Sequence, residues 1–194
     1  MHFTLSDLVT DITQNGAESG ASLVELELRE RNSPGKGEFR FTVRDNGKGM
    51  DQDELERVVD PFVTDGIKHP RRKVGLGIPF LIQTAQMSGG GWSLKSEKGR
   101  GTEISAWFDT GNVDTPPVGD LPGMMRTVLL FEGPGEVVIR RSRNGTDAGG
   151  NAGKDALEYE VRKTELAEAL GGLEDTGSLV LMERYLRSLE DDEA

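Results

Sequence analysis

Four short segments carry residue types that could do chemistry together. The first is Asp11-x-x-x-Asn15, followed by Glu18-Ser19-Gly20-Ala21. On a helix, positions four apart share a face, so the Asp11 carboxylate and the Asn15 amide project together. An amide oxygen is a neutral, hard ligand suited to Mg²⁺ already neutralised mostly by phosphates, and a neighbouring carboxylate could orient a water or reach the ion through one. Alone, the segment also fits the polar face of an ordinary amphipathic helix. The second is Asp45-Asn46-Gly47-Lys48-Gly49. Asp-x-Gly-x-Gly lets a carboxylate face a pocket while Gly47 and Gly49 let a ligand approach the backbone. A carboxylate accepts a proton from an amino group such as the exocyclic amine of adenine. Guanine presents an oxygen there, and the mismatch would cost about 1–3 kcal/mol or more. Asn-Gly is equally a common turn pair. The third is Gly75-Leu76-Gly77, preceded by Lys68, Arg71, Arg72 and Lys73. Bare amides at a helix start with cations nearby make an anion site; alone, this is a glycine-rich loop beside a solvated basic run. The fourth, Gly99-Arg100-Gly101-Thr102, is by itself a plain hairpin turn.

These segments need elements to hold them. Leu5, Leu8, Val9 and Ile12 recur at helical spacing, with Thr4 or Ser6 as cap and Gly20 as stop. Residues 22–30 and the alternating Phe39, Phe41 and Val43 predict two strands joined around Asn32-Ser33-Pro34-Gly35, a hairpin that runs into the Asp45 loop. A short helix is expected over 51–59 and a basic loop over 61–74. A helix should open at Gly75-Leu76-Gly77 and run to about Met87, followed by strands over 92–96 and 102–108. Pro116, Pro117 and Pro122 then make 110–123 read as a linker. Beyond it, residues 127–131 and 136–140 are expected to form a hairpin around Gly133-Pro134-Gly135. Residues 144–154 read as a flexible loop, 157–161 as a weak strand, and 164–170 and 177–189 as helices. The acidic residues 190–193 should fray. The domain reading is therefore 1–109, a linker over 110–123, and a small α+β appendage over 124–194.

Composition narrows the classes. The chain has 194 residues, 34 Asp plus Glu against 23 Lys plus Arg, and a net charge of −11. That balance argues against a nucleic-acid partner. With no cysteine, disulfides and thiolate metal sites are excluded. No apolar run approaches the roughly 18 residues of a membrane span, and residues 1–11 carry no leader pattern. No membrane association is expected, and the cytoplasm is the expected compartment.

In order and spacing, the segments resemble the GHKL ATPase superfamily, which comprises gyrase, large heat-shock chaperones, histidine kinases and mismatch-repair ATPases. Asp11 to Ala21 looks like the N box, its Asn15…Glu18-Ser19-Gly20-Ala21 portion closest to the mismatch-repair version. Asp45 to Gly49 matches the G1 box. Asp60-Pro61-Phe62-Val63-Thr64 resembles the F box of histidine kinases. Gly75-Leu76-Gly77-Ile78 matches the G2 box, and Gly99-Arg100-Gly101-Thr102 the Gly-x-Gly-Thr element after it. The resemblance covers about residues 3–109.

It implies an α/β fold, a two-layer α/β sandwich (the Bergerat ATP-binding fold), with ATP held between the helices and a lid. By position, Asn15 should bind Mg²⁺ and Asp45 the adenine amine, with Gly49 and Thr102 sharing an ordered water beneath the ring. Gly47 and Met50 belong to the same nucleotide-binding loop. Gly75, Leu76 and Gly77 should offer amides to the phosphates, and Lys68 or one of Arg71–Lys73 should neutralise the γ-phosphate. Phe62 should pack the lid base. Asp11 stands at the catalytic position, where histidine kinases usually carry Asn or His and the hydrolytic branches Glu. Being one methylene shorter than Glu, it is expected to hydrolyse slowly if at all. Such kinases present an acceptor histidine on a helical hairpin before the ATP domain. Only residues 1–10 precede Asp11, and His2 and His69 sit in no acceptor helix, so autophosphorylation is not expected. The implied function is a Mg-ATP-binding protein without a phosphoacceptor domain, acting as a nucleotide-dependent regulator or accessory subunit. The alternative is an enzyme, either a slow ATPase or a histidine or serine protein kinase acting in trans. Residues 124–194 match no motif of the family. Leu179, Val180, Met182, Tyr185, Leu186 and Leu189 give the last helix an apolar stripe, for packing on its own domain or for docking a protein partner.

Overall fold

A computed structural model describes residues 4–33, 35–59, 77–145 and 156–191. In chain order the elements are α1 (Leu5–Glu18), β1 (Leu23–Ser33), β2 (Lys36–Asp45), α2 (Gln52–Val59), α3 (Gly77–Met87), β3 (Gly91–Glu97) and β4 (Gly101–Asp109). They continue with α4 (Leu121–Leu129), β5 (Glu136–Gly145), β6 (Leu157–Arg162), α5 (Lys163–Leu170) and α6 (Thr176–Glu190). The strands form one six-stranded sheet in the order β3-β4-β2-β1-β5-β6. All neighbours are antiparallel except β1 and β5, which run parallel from Leu23↔Glu136 to Asn32↔Gly145.

The period-two pattern of the strands decides which face is covered. Val24, Leu26 and Leu28 of β1 stand in register with Asp45, Val43 and Phe41 of β2. These in turn face Thr102, Ile104 and Ala106 of β4. Phe39, Phe41, Leu26, Leu28, Ala106 and Phe108 are fully buried, and the Phe41 and Phe108 rings stack with centroids 6.2 Å apart. The helices lie on this inward face; Leu5, Leu8, Val9 and Ile12 of α1 and Leu81 and Ala85 of α3 belong to the same core. The outward face is an ion-pair lattice. Arg44 sits between Glu27 (3.6 Å) and Glu103 (2.7 Å), and Arg140 between Glu25 and Glu160, both at 2.7 Å. Such half-solvated pairs contribute little each. The α/β sandwich is therefore the observed architecture.

Helix α1 starts in a capping box. Thr4 Oγ1 accepts from the Asp7 N–H and Asp7 Oδ2 from the Thr4 N–H, satisfying two otherwise orphaned donors. The next donors, the N–H groups of Leu5 and Ser6, reach the Pro117 and Val118 carbonyls, both at 2.9 Å. Pro117 and Val118, within the stretch 110–123 expected as a linker, are thus bound to the start of α1.

The C-terminal part departs furthest from expectation. Residues 127–131 are not a strand; helix α4 spans Leu121–Leu129. Asp120 caps it by accepting from the Gly123 N–H. Pro122 falls in the first turn, where no backbone donor is required. Leu121, Met124, Met125, Val128 and Leu129 are buried, the spacing of one helical face. Strand β5 therefore pairs not with 127–131 but with β1 and β6. Val137, Ile139, Val161, Met182 and Leu186 join the core built by α1 and β1, so the two halves of the chain share one sheet and one interior. On α6, Met182 and Leu186 are buried whereas Val180 and Tyr185 are 46% and 43% exposed, so only part of the apolar stripe is used.

Arg141 is completely buried. It pairs with Leu28 of β1 and Tyr159 of β6 and so points inward, beneath the end of α6. Its guanidinium donates to Glu30 at 2.7 Å and to Glu190 at 3.0 Å. The Tyr159 hydroxyl also donates to Glu190. Glu190, expected to fray, is the residue that ties the last turn of α6 to the sheet.

Candidate nucleotide site

The inward row nearest one end of the sheet is polar. Ser96 of β3 pairs with Thr102 of β4, Thr102 with Asp45 of β2, and Asp45 with Val24 of β1. Asp45 is half-buried. Its Oδ1 accepts from the Gly47 N–H at 2.9 Å and from the Ser19 hydroxyl at 3.0 Å; its Oδ2 has no partner among the described residues. Ser19 Oγ also lies 2.7 Å from the Gly16 carbonyl, so its single proton is shared between two acceptors.

The loop after Asp45 is held from both sides. Toward α1 and β1, the Asn46 side-chain oxygen accepts from the N–H groups of Ser22 and Leu23, its amide donates to Ser22 Oγ, and the Lys48 N–H donates to the Ser19 carbonyl. Toward the β3–β4 turn, the Gly99 N–H donates to the Lys48 carbonyl at 2.7 Å and the Met50 N–H to Ser96 Oγ at 2.8 Å. Gly49 sits at φ +59°, and a Cβ there would lie 2.0 Å from the Glu97 carbonyl oxygen. Only glycine meets both conditions. At the loop exit Lys98 donates to Asp51 at 2.8 Å. That bond, helped by the Glu54 N–H, holds the Asp51 carboxyl below its usual range and raises Lys98.

Ser96 Oγ lies 2.9 Å from Thr102 Oγ1 and 3.0 Å from the Gly101 carbonyl. If Thr102 donates to Ser96 and Ser96 to Gly101, every acceptor has a proton and Thr102 Oγ1 keeps its lone pairs for a ligand or water. A cavity of about 290 Å³ borders these strand ends, touching Asp45, Ser96 and Thr102 as well as Arg44, Lys95 and Glu103 of the outward face.

Helix α1 brings its own pair. Asp11 and Asn15 are exposed, one turn apart. Asn15 adjoins the start of α3, since a Cβ on Gly77 would lie 3.6 Å from Asn15 Nδ2. Gly16 meets the other cluster, since its Cβ would lie 3.4 Å from Asp45 Cβ and 3.6 Å from Oδ2. Asn15, Gly77, Asp45, Gly47, Gly49, Met50 and Thr102 therefore surround one region, with Asp11 a turn further along α1. Lys68, Gly75 and Leu76, with Phe62 and Arg71–Lys73, lie outside the described residues. Reading the sequence by segment leaves Ser96 and Ser19 without a role. The hairpin register Ser96↔Thr102 carried the signal for Ser96; nothing in the sequence alone aims the Ser19 hydroxyl at Asp45.

The donor set fits a purine nucleotide with Mg²⁺. A carboxylate oxygen without a partner among the described residues suits an amine, glycines at 47 and 49 allow close approach to the loop backbone, and the Asn15 amide stands beside a helix N-terminus. Among the described residues there is no group of three or more His, Cys, Asp or Glu that could hold a metal ion.

The family model described as "Histidine kinase-, DNA gyrase B-, and HSP90-like ATPase" matches residues 2–112, and the chain belongs to this GHKL ATPase family. It is also similar to Sensor kinase CckA of Brucella abortus (strain 2308), at 25% identity over 157 residues, 75% of this chain and 16% of that protein. Similarity to Sporulation kinase D of Bacillus subtilis (strain 168) is 29% over 105 residues, 52% of this chain and 19% of that protein. The chain thus spans less than a fifth of either relative. Among the described residues no helix is long and apolar enough to cross a membrane.

Proposed function

We propose that the chain binds Mg-ATP at this site and acts as a nucleotide-dependent regulator or accessory subunit. The observation that carries the reading is the Asp45 carboxylate, tethered at Oδ1, without a partner at Oδ2 among the described residues, and in register with Thr102. Asp45 receives the adenine amine, Thr102 and Gly49 line the base, and Asn15 and Gly77 face the phosphate end. The backbone amides of Gly75 and Leu76, and Lys68 or one of Arg71–Lys73, all outside the described residues, would supply the remaining phosphate contacts that the family resemblance implies. Asn15 would hold Mg²⁺, which would supply charge neutralisation to the phosphates.

The regulatory part rests on how the C-terminal half meets α1. The Glu136 N–H donates to the Ser22 carbonyl at 3.0 Å, and a Cβ on Gly133 would lie 3.1 Å from the Ala17 carbonyl. A change at α1 on nucleotide binding is therefore felt by the α4–β5 turn, and the exposed part of α6 offers a face to a protein partner.

The kinase names of both relatives favour a second reading, transfer of the γ-phosphoryl group to a separate protein or slow release to water with Asp11 orienting the water. Thermal-shift titration tests the binding step. Mg-ATP at about 100 times its dissociation constant should stabilise wild-type protein by about 2.7 kcal/mol, and Asp45→Asn should abolish the shift. No shift with wild type refutes the proposal. Radiolabelled γ-phosphate then separates the readings: label on a partner, or free phosphate that falls in Asp11→Asn, makes the protein an enzyme.

A further inference from the structure

We propose that Ser19 is the positioning residue that makes Asp45 selective for a 6-amino purine. This rests on the reading of the site as one for ATP. A carboxylate has two equivalent oxygens and rotates about its last bond, so an isolated Asp45 would offer either oxygen in several planes. Here two donors from different elements converge on one oxygen. The Gly47 N–H comes from the loop itself and the Ser19 hydroxyl, which shares its proton with the Gly16 carbonyl, from the end of α1, at 2.9 and 3.0 Å from Oδ1. Together they fix the carboxylate plane and leave Oδ2 as the oxygen without a partner among the described residues. The neighbour on that side is Gly16, whose missing side chain leaves 3.6 Å between a would-be Cβ and Oδ2. A fixed oxygen that can only accept selects a ligand that donates, and the 6-amino group of adenine donates where the guanine 6-oxygen cannot.

The packing shows that the loop is shaped around this hydroxyl. A Cβ on Gly47 would lie 1.8 Å from Ser19 Oγ, so the loop can lie against Ser19 only because residue 47 has no side chain. The backbone of Ser19 has a separate task, its carbonyl accepting the Lys48 N–H at 3.2 Å. Removing the hydroxyl therefore leaves the tie between loop and helix in place. A purely structural Ser19 would affect every nucleotide alike, whereas a positioning Ser19 affects those bearing the amine.

The test measures calorimetric affinities, with Mg²⁺, for ATP and for purine riboside triphosphate, which has hydrogen in place of the 6-amino group. Wild type should prefer ATP. Ser19→Ala should weaken ATP about tenfold, equal to about 1.4 kcal/mol, and purine riboside triphosphate less than about twofold, in keeping with the worth of a hydrogen bond to a charged group. Ser19→Cys, with a weak donor, should fall between, and gives the same comparison should the alanine variant lose its circular dichroism. Equal weakening of both nucleotides, no weakening of either, or a Ser, Cys, Ala order that does not follow donor strength overturns the inference while leaving ATP binding intact. Wild-type protein that binds neither nucleotide overturns the proposed function, and this inference with it.

Discussion

Arg141→Ala should be strongly destabilising. The guanidinium is fully buried and compensates two carboxylates, Glu30 and Glu190, whose side chains are only 20% and 11% exposed. Its deletion leaves Glu30 without this cation and Glu190, which also accepts from the Tyr159 hydroxyl, with the more distant Arg143 at 3.9 Å. Breaking a buried ion pair from one side costs about 3–5 kcal/mol. Because both carboxylates keep some contact with water, the lower end applies, about 3 kcal/mol. For a domain of this size each kcal/mol moves the thermal midpoint by about 2–4 °C, so a fall of about 6–12 °C is expected. Urea unfolding monitored by far-UV circular dichroism gives the free energy directly. Arg44→Ala is the control; Arg44 is 41% exposed in its own pairs and should cost no more than about 1 kcal/mol. A loss below about 1 kcal/mol for Arg141→Ala would refute the reasoning, because the buried network would then be no better than the outward lattice.

Tyr159 gives a prediction on the alkaline side. Burial, and then its bond to Glu190, push its hydroxyl well above the ordinary tyrosine range. An unfolded tyrosine loses its proton near pH 10 while the folded one keeps it. Its contribution is therefore whole below about pH 10 and declines as pH rises beyond it. The urea midpoint of wild type should fall more steeply than that of Tyr159→Phe between pH 9.5 and 11, by up to about one proton's worth of slope; parallel profiles would contradict the assignment. Gly49→Ala combines an unfavourable φ with a clash against the Glu97 carbonyl. It should abolish the Mg-ATP thermal shift while Gly20→Ala, at φ +81° but with nothing within 4 Å, retains it; equal behaviour would show that the close approach is irrelevant.

Much of the N-terminal half is legible from the sequence because its signals are local. The heptad-like run Leu5, Leu8, Val9, Ile12, the alternation Phe39, Phe41, Val43 and the Asp-Asn-Gly-Lys-Gly loop each declare an element within a dozen residues, and the structure has those elements. The failures have one cause: a long-range partner decides the outcome. The spacing Leu121, Met124, Met125, Val128, Leu129 is helical, but three prolines nearby mask it, and only the face of α1 explains why it folds over. Strand β5 reads as half of a hairpin, since nothing local announces that its partner is β1, over a hundred residues earlier. Arg141 looks like a surface cation because its two counter-charges come from β1 and from the last turn of α6. At the site, the types and order of Asn15, Asp45, Gly49 and Thr102 are visible in the sequence, whereas the hydrogen bonds of Ser19 and Ser96 that orient them depend on the register of assembled elements.

The parallel pairing of β1 with β5 also bears on how the protein emerges during synthesis. A nascent chain that has delivered residues 2–112, the whole stretch shared with the family, still lacks residues 136–145. Until they arrive, β1 presents eleven residues with one row of amide and carbonyl groups open, a template to which another chain can add. A gene trimmed to residues 2–112 would leave that edge without its β5 partner.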